Sequence, residues 1–181
     1  MLFQLNITLT EEDYLSFNSF HSFESTHGKK LIRKSRIFFV SVMALLIVLV
    51  VFMLGVTTFS LTYAILLGLF TVLYMLLFKK ILIRNIKAQI KRLKKIGKLP
   101  FDPVSTLEFY EDKMVEITES ARLEQSYSIF ERICVVADRY ILLYRSSVSA
   151  YILPMSQVKT QVNQDDLLRF LSGKCNTTEN Y

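Results

Sequence analysis

Across 42 consecutive residues, Ile37 to Phe78, the sequence has no Asp, Glu, Lys, Arg or His. Transporters, proton relays and ion pathways place ionisable groups or broken helices at membrane depth. The absence of both points to an anchor, with a channel made by oligomerisation as the alternative. Glycine is scarce as well, five in 181 residues, which leaves no loop of the kind that cradles phosphates. No G-x-S-x-G elbow is present to expose a nucleophilic serine. The two cysteines, Cys134 and Cys175, lack CxxC spacing, so neither a disulfide nor a metal site is expected. His21 and His27 have no cysteine near them and read as interfacial or structural. No catalytic, cofactor-binding or metal-binding residue is expected, and the chain is not expected to be an enzyme.

What the uncharged run does have is length. At about 1.5 Å per helical residue it measures roughly 63 Å, twice the hydrocarbon thickness of a bilayer. One crossing cannot absorb it and two can. The first span, IFFVSVMALLIVLVVFML, carries 14 Leu, Ile, Val or Phe residues, enough to favour insertion by several kcal/mol. The run starts too far from the N-terminus for a secretory signal, so it reads as retained. Ser41, Thr62 and Thr71 can return their hydroxyl hydrogen bonds to the preceding helical turn. In the second span Ala64 and Gly68 form a small-xxx-small pair, with Ser41 and Ala44 of the first span as the expected packing partners; a dimer face is the alternative.

The net charge of +6 conceals a partition: from Lys29 to Lys98 there are 14 basic residues and no acidic ones, and the rest of the chain carries 8 basic and 16 acidic. The cations flank the spans and are absent from the turn. By the positive-inside rule both termini are expected in the cytoplasm, with only Gly55 to Ser60 reaching the far side, and the cysteines then lie in a reducing compartment. After the second span, Ile83, Ile86, Ile90 and Leu93 form an apolar stripe on a basic helix that Gly97 and Pro100 end. Its cations Lys79, Lys80, Arg84, Lys87, Lys91, Arg92, Lys94 and Lys95 are the expected contacts to anionic headgroups, the stripe burying in the interface or docking on a soluble domain. Nucleic acid is a poor fit, since no aromatic residue interleaves these cations to stack on bases.

Residues 3–9, FQLNITL, alternate as a half-buried strand. Thr10 with Glu11, Glu12 and Asp13 starts a helix that turns Tyr14, Phe17 and Phe20 inward. A lone strand is unstable, so this one needs a sheet built from the C-terminal region. That region offers STLEFY, MVEIT, ARLEQSY, a hairpin about Ala137, Asp138 and Arg139 in ERICVVADRYILLYR, and SAYILP. Asn163 then caps a helix with Leu167, Leu168 and Leu171 inward. Glu108, Glu111, Asp112, Glu116, Glu119 and Glu124 fall at solvent-facing positions. Short antiparallel strands followed by one helix make an α+β domain, a strongly bent sheet covered by a helix.

The order of the strand and "TEEDYL" helix, the uncharged double span, the basic helix, and then "LEFYEDKMVEITE", "YSIFERICVVADRYILLY" and "AYILPMSQV" resembles the YcxB-like family of small bacterial membrane proteins. The resemblance implies a C-terminal domain similar to pleckstrin-homology (PH) folds and assigns no chemistry. The expected organisation is a strand and helix over 1–28 packing on the C-terminal domain, a transmembrane hairpin over 29–80 with spans at about 37–55 and 60–78, a basic juxtamembrane helix over 81–99, a YcxB-like cytoplasmic domain over 100–173, and a flexible tail over 174–181. The fold class is thus a two-helix membrane hairpin with a small PH-like antiparallel domain. Two functions fit. One is a non-catalytic module that binds a protein segment or lipid at the inner face, with Tyr110, Tyr127, Tyr140, Tyr144 and Tyr151 as the candidate partner surface. The other is a small membrane subunit, regulator or immunity-type factor acting through its hairpin. The expected partners are anionic lipid, an unidentified membrane or cytoplasmic protein, and, should the hairpin present a dimer face, a second copy of the chain.

Overall fold

A computed structural model of the chain describes residues 1–147, 149–175 and 177–181. The chain forms two compact units, one made of Met1–Asn18 with Ile90–Tyr181 and the other of Ser19–Gln89.

The first unit contains two four-stranded sheets rather than a single bent one. Strand β1 (Phe3–Thr8) pairs antiparallel with β2 (Val104–Phe109), which continues into β3 (Lys113–Ile117) and β4 (Arg122–Ser126) as a meander. The β1–β2 register runs from Phe3 opposite Phe109 to Thr8 opposite Val104, which sets Leu5 against Leu107. A short 3-10 turn at Tyr127–Ile129 leads to β5 (Arg132–Val136), β6 (Tyr140–Tyr144) and β7 (Ala150–Pro154), antiparallel in sequence order. Ala137, at φ 40°, makes the β5–β6 turn.

The second sheet is buried on both faces. Ile133, Ile141, Leu143 and Leu153 join Leu5, Ile7, Leu107 and Phe109 in the main core, while Cys134, Leu142, Tyr144 and Ile152 alternate onto the opposite face. Helix α1 (Glu11–Ser19) covers part of that opposite face: the Phe17 ring lies 6.2 Å from Tyr144, and Tyr140 donates to Asp13 (3.1 Å). Its start is a capping box, in which Thr10 Oγ1 accepts from the Asp13 amide and Asp13 Oδ2 accepts from the Thr10 amide. Helix α4 (Met155–Gln161) follows β7, and α5 (Gln164–Ser172) buries Leu167 and Leu171 under an Asn163 cap.

Two features of this unit depart from expectation. The tail over 174–181, expected to be flexible, contributes β8 (Thr178–Asn180), which pairs parallel to β5. The outer edge of β1 is occupied by α4. Gln157 accepts from the Thr8 amide and donates to the Thr8 carbonyl, and Gln161 does the same to Asn6, all within 2.7–2.9 Å. Two side-chain amides thus take the place of a neighbouring strand.

The second unit holds two helices long and apolar enough to cross a membrane, α2 (Thr26–Leu54) and α3 (Thr58–Lys95). Their outward faces are apolar throughout the uncharged run, with Phe52 84% and Leu76 74% exposed. The connecting turn satisfies itself: Thr57 Oγ1 accepts from the Ser60 amide, and Ser60 Oγ accepts from the Thr57 amide and donates to the Gly55 carbonyl. A π-turn at Phe20–Glu24 precedes α2, so Phe20 is buried as expected but lies beyond α1. The basic segment expected over 81–99 is not a separate helix, because α3 continues through it to Lys95. Gly97, at φ 68°, ends it in a Schellman motif, with Lys98 N bonded to the Leu93 carbonyl and Gly97 N to that of Lys94.

Between α2 and α3 the Phe39 and Tyr74 rings stack at 4.2 Å. Ala64 and Gly68 lie half-buried on the seam side of α3, but Ser41 and Ala44 are exposed, outside the seam, and a Cβ on Gly68 would meet nothing within 4 Å. The expected close packing of these four residues is therefore corrected. Large side chains hold the helices apart.

Candidate functional site

The eight cations assigned to headgroup contact are all exposed along α3. Lys94 pairs with Glu11, and Lys79 sits 5.2 Å from the centre of the Phe23 ring. The stripe between them is not open to lipid in the same way. Ile83, Ile86 and Leu93 are half-buried and Ile90 is 4% exposed, so the stripe is less open than the charges beside it.

The five tyrosines do not share a surface. Tyr144 is fully buried and Tyr127 is 5% exposed, with its hydroxyl donating to the Tyr110 carbonyl (2.8 Å). Tyr140 is tied to Asp13, Tyr110 to Glu108 (3.0 Å), and Tyr151 to Glu116 (2.6 Å). Tyr127 and Tyr144 are buried and Tyr110, Tyr140 and Tyr151 are half-buried, so the five do not form one exposed partner surface, and that expectation is corrected.

Tyr151 instead marks a different place. A cleft of about 240 Å³ opens beside β7, lined among the described residues by Tyr14, Phe101, Leu107, Glu116, Arg145 and Tyr151, among others. Tyr151 accepts from Gln125 Nε2 (2.8 Å) while donating to Glu116, so Glu116, expected to face solvent, is half-buried in a hydrogen-bonded chain. Gln125 Oε1 is buried without a hydrogen-bond partner. Burial, reinforced by the bond to Glu116, holds the Tyr151 hydroxyl well above the usual tyrosine range. The Arg145 guanidinium lies 5.2 Å over the Tyr151 ring and donates to Ser149 Oγ (3.2 Å). The cleft is smaller than most small-molecule sites, which begin at about 300 Å³, and it runs along a strand at the edge of its sheet. Sequence reasoning missed Gln125 because a polar residue in a strand reads as outward-facing until the second sheet is placed over it, and Arg145 because an exposed cation just past β6 carries no local sign of the Tyr151 ring beneath it.

His21 and His27 come together, rings 6.3 Å apart, but among the described residues no group of three His, Cys, Asp or Glu is gathered that could hold a metal ion. Cys134 is buried and donates to Glu179 (3.5 Å), and Cys175 is half-buried; neither forms a disulfide. Burial and then the Glu179 carboxylate push the Cys134 thiol up to about 12. The folded state therefore favours the neutral thiol, so its contribution to stability is complete below about pH 8.5, where an unfolded thiol titrates, and is lost as pH rises towards 12. Burial raises Tyr127, Tyr144 and Tyr151 in the same direction. The denaturant midpoint of the sheet unit should thus stay level from pH 7 to 8.5 and fall above about pH 9. In the folded protein a thiol reagent should label Cys175 before Cys134; equal labelling rates would contradict this account.

No family model, curated protein or solved structure matches the chain.

Proposed function

We propose that the chain is a non-catalytic, membrane-anchored binding protein. Its hairpin crosses the bilayer twice, the flanking cations meet anionic headgroups, and the sheet unit recognises a partner at the inner face. The observation that carries this reading is the pairing of β1 with β2. One strand precedes the hairpin, the other follows it, and they are joined residue for residue, so the intervening chain crosses an even number of times. The 14 flanking cations and the cation-free turn favour cytoplasmic termini. The four-stranded meander, the three-stranded meander and a C-terminal helix that closes the core follow the order of a PH-like domain, which is what the resemblance to the YcxB-like family implies.

The cleft beside β7 suits a protein segment better than a lipid headgroup: it presents the terminal strand of a sheet, an apolar wall and one exposed cation, Arg145. A second reading, a small membrane subunit or regulator acting through the hairpin, draws support from Ser41 and Ala44 on the exposed face of α2 and from the open space at Gly68. Site-specific photocrosslinking in cells separates the two. A crosslinker at Asp102 or Ser149 should give one discrete protein adduct, weakened several-fold by Arg145→Ala, and a crosslinker at Ala44 should give none. The reverse pattern would move the function to the hairpin.

A further inference from the structure

The second unit contains its own cleft, of about 620 Å³, lined by Phe23, Lys29, Ile32, Arg33, Arg36, Ile37 and Lys79. Its charge is of one sign. Lys29, Arg33 and Arg36 fall at i, i+4 and i+7 on α2 and so share a face, and Lys79 approaches from α3. Among the described residues no carboxylate pairs with these four; Glu24 is the only acidic residue between Ser19 and Gln89, and it does not line the cleft. Aromatic rings hold two of the cations in place: Lys79 lies 5.2 Å from the Phe23 ring centre and Arg36 5.4 Å from that of Phe78. An ammonium or guanidinium over a ring is oriented without being neutralised. Among the described residues the cluster thus has no carboxylate to offset it, while two of its side chains are held by rings.

Its position along the helices is equally specific. Arg36 is the last cation before the uncharged run and Lys79 the first after it, so the cleft lies where the apolar part of each helix ends. In a bilayer this is the depth of the glycerol phosphates, and basic pockets between spans at that depth suit anionic headgroups. Ile32 and Ile37 add an apolar wall for the adjoining acyl chains. Lys29 and Arg36 are separated along α2 by about 10 Å, too far for one phosphate to engage every cation. Two phosphates joined by a short polyol would span them.

We infer that this cleft binds the headgroup of an anionic phospholipid that carries two phosphodiesters. The inference rests on the anchoring reading given above and makes it specific. It is tested on the full chain in nanodiscs by native mass spectrometry, titrating diphosphatidylglycerol, phosphatidylglycerol and phosphatidylcholine. The two-phosphate lipid should bind about tenfold more tightly than the one-phosphate lipid. Arg33→Gln with Arg36→Gln should remove about tenfold or more of that affinity, whereas Lys159→Gln with Arg169→Gln, the same charge change made in the sheet unit, should alter it less than about twofold. Phe23→Ala keeps every charge and should cost about twofold to fivefold by releasing Lys79, which guards against a result caused by the double variant misfolding. Inorganic phosphate should not displace the bound lipid. Equal losses from the two charge pairs, no preference for two phosphates, or displacement by inorganic phosphate would each overturn the assignment. A chain that enters bilayers without lipid selectivity defeats this inference alone; a chain that does not enter them defeats the anchoring reading.

Discussion

Removal of residues 1–9 should abolish cooperative unfolding of the sheet unit, although more than 90 residues of that unit remain. Leu5 and Ile7 are buried to within 1% and sit in the main core. Truncating one such side chain to alanine costs about 2–5 kcal/mol, and the deletion removes both. It also removes the Phe3 ring, 5.6 Å from Phe170, and exposes β2 as a new edge. Gln157 and Gln161 lose the backbone groups they bind. The combined cost is comparable to the total stability of about 5–15 kcal/mol typical of a domain. The measurement is a denaturant melt of the membrane-reconstituted chain, read by near-ultraviolet dichroism and limited proteolysis. A peptide of residues 1–9 added in trans should restore the transition by strand addition, and Gln4→Ala, at an exposed position, should change stability by less than about 0.5 kcal/mol. An unchanged transition in the shortened chain would show that β1 is dispensable.

Gly28→Ala should be the most damaging single methyl in the second unit. The π-turn folds back so tightly that a Cβ on Gly28 would overlap the His21 carbonyl oxygen and come within 2.6 Å of that of Ser22. Both obstacles are backbone, which cannot swing aside as a side chain would. The Ser25 hydroxyl, which accepts from the Gly28 amide and donates to the His21 carbonyl, closes the same loop and caps α2. Relieving the overlap means breaking that cap and unwinding the turn, at about 3 kcal/mol or more. Ser25→Ala, which loses the cap alone, should cost about 1 kcal/mol. Hydrogen exchange over residues 20–33 should quicken in both variants, far more in Gly28→Ala, and parity between the two would refute the steric account.

The parts of this fold that local chemistry dictates were legible in the sequence. Alternation in FQLNITL gives a half-buried strand wherever it pairs, Asn163 caps α5 through the Asp165 and Asp166 amides, and a run without charge forms long apolar helices. What was not legible depends on a second layer arriving. The β8 segment TEN carries no apolar signal, because it is held by backbone pairing to β5 and by Glu179 between Cys134 and Tyr181. The tyrosines could not be sorted from sequence, since a ring is equally at home on a sheet surface and beneath a helix. The small side chains of Ser41 and Ala44 suit a close helix seam, yet the contact between the helices is made by Phe39 and Tyr74, where stacking area outweighs close approach. The glutamine pair on β1 has no sequence signature, because the two residues meet their strand across roughly 150 positions.

The pairing of Phe3 with Phe109 also imposes an order on biosynthesis. About 100 residues separate the two strands, and at about 5–20 residues per second β1 waits some seconds on the ribosome before β2 exists. Both apolar helices emerge during that interval. On the anchoring reading, the hairpin reaches the membrane machinery before the sheet can close, and no prematurely folded domain competes with insertion. Linking the closing strands across the two apolar helices makes the sheet unit's completion a report that both helices have already been made.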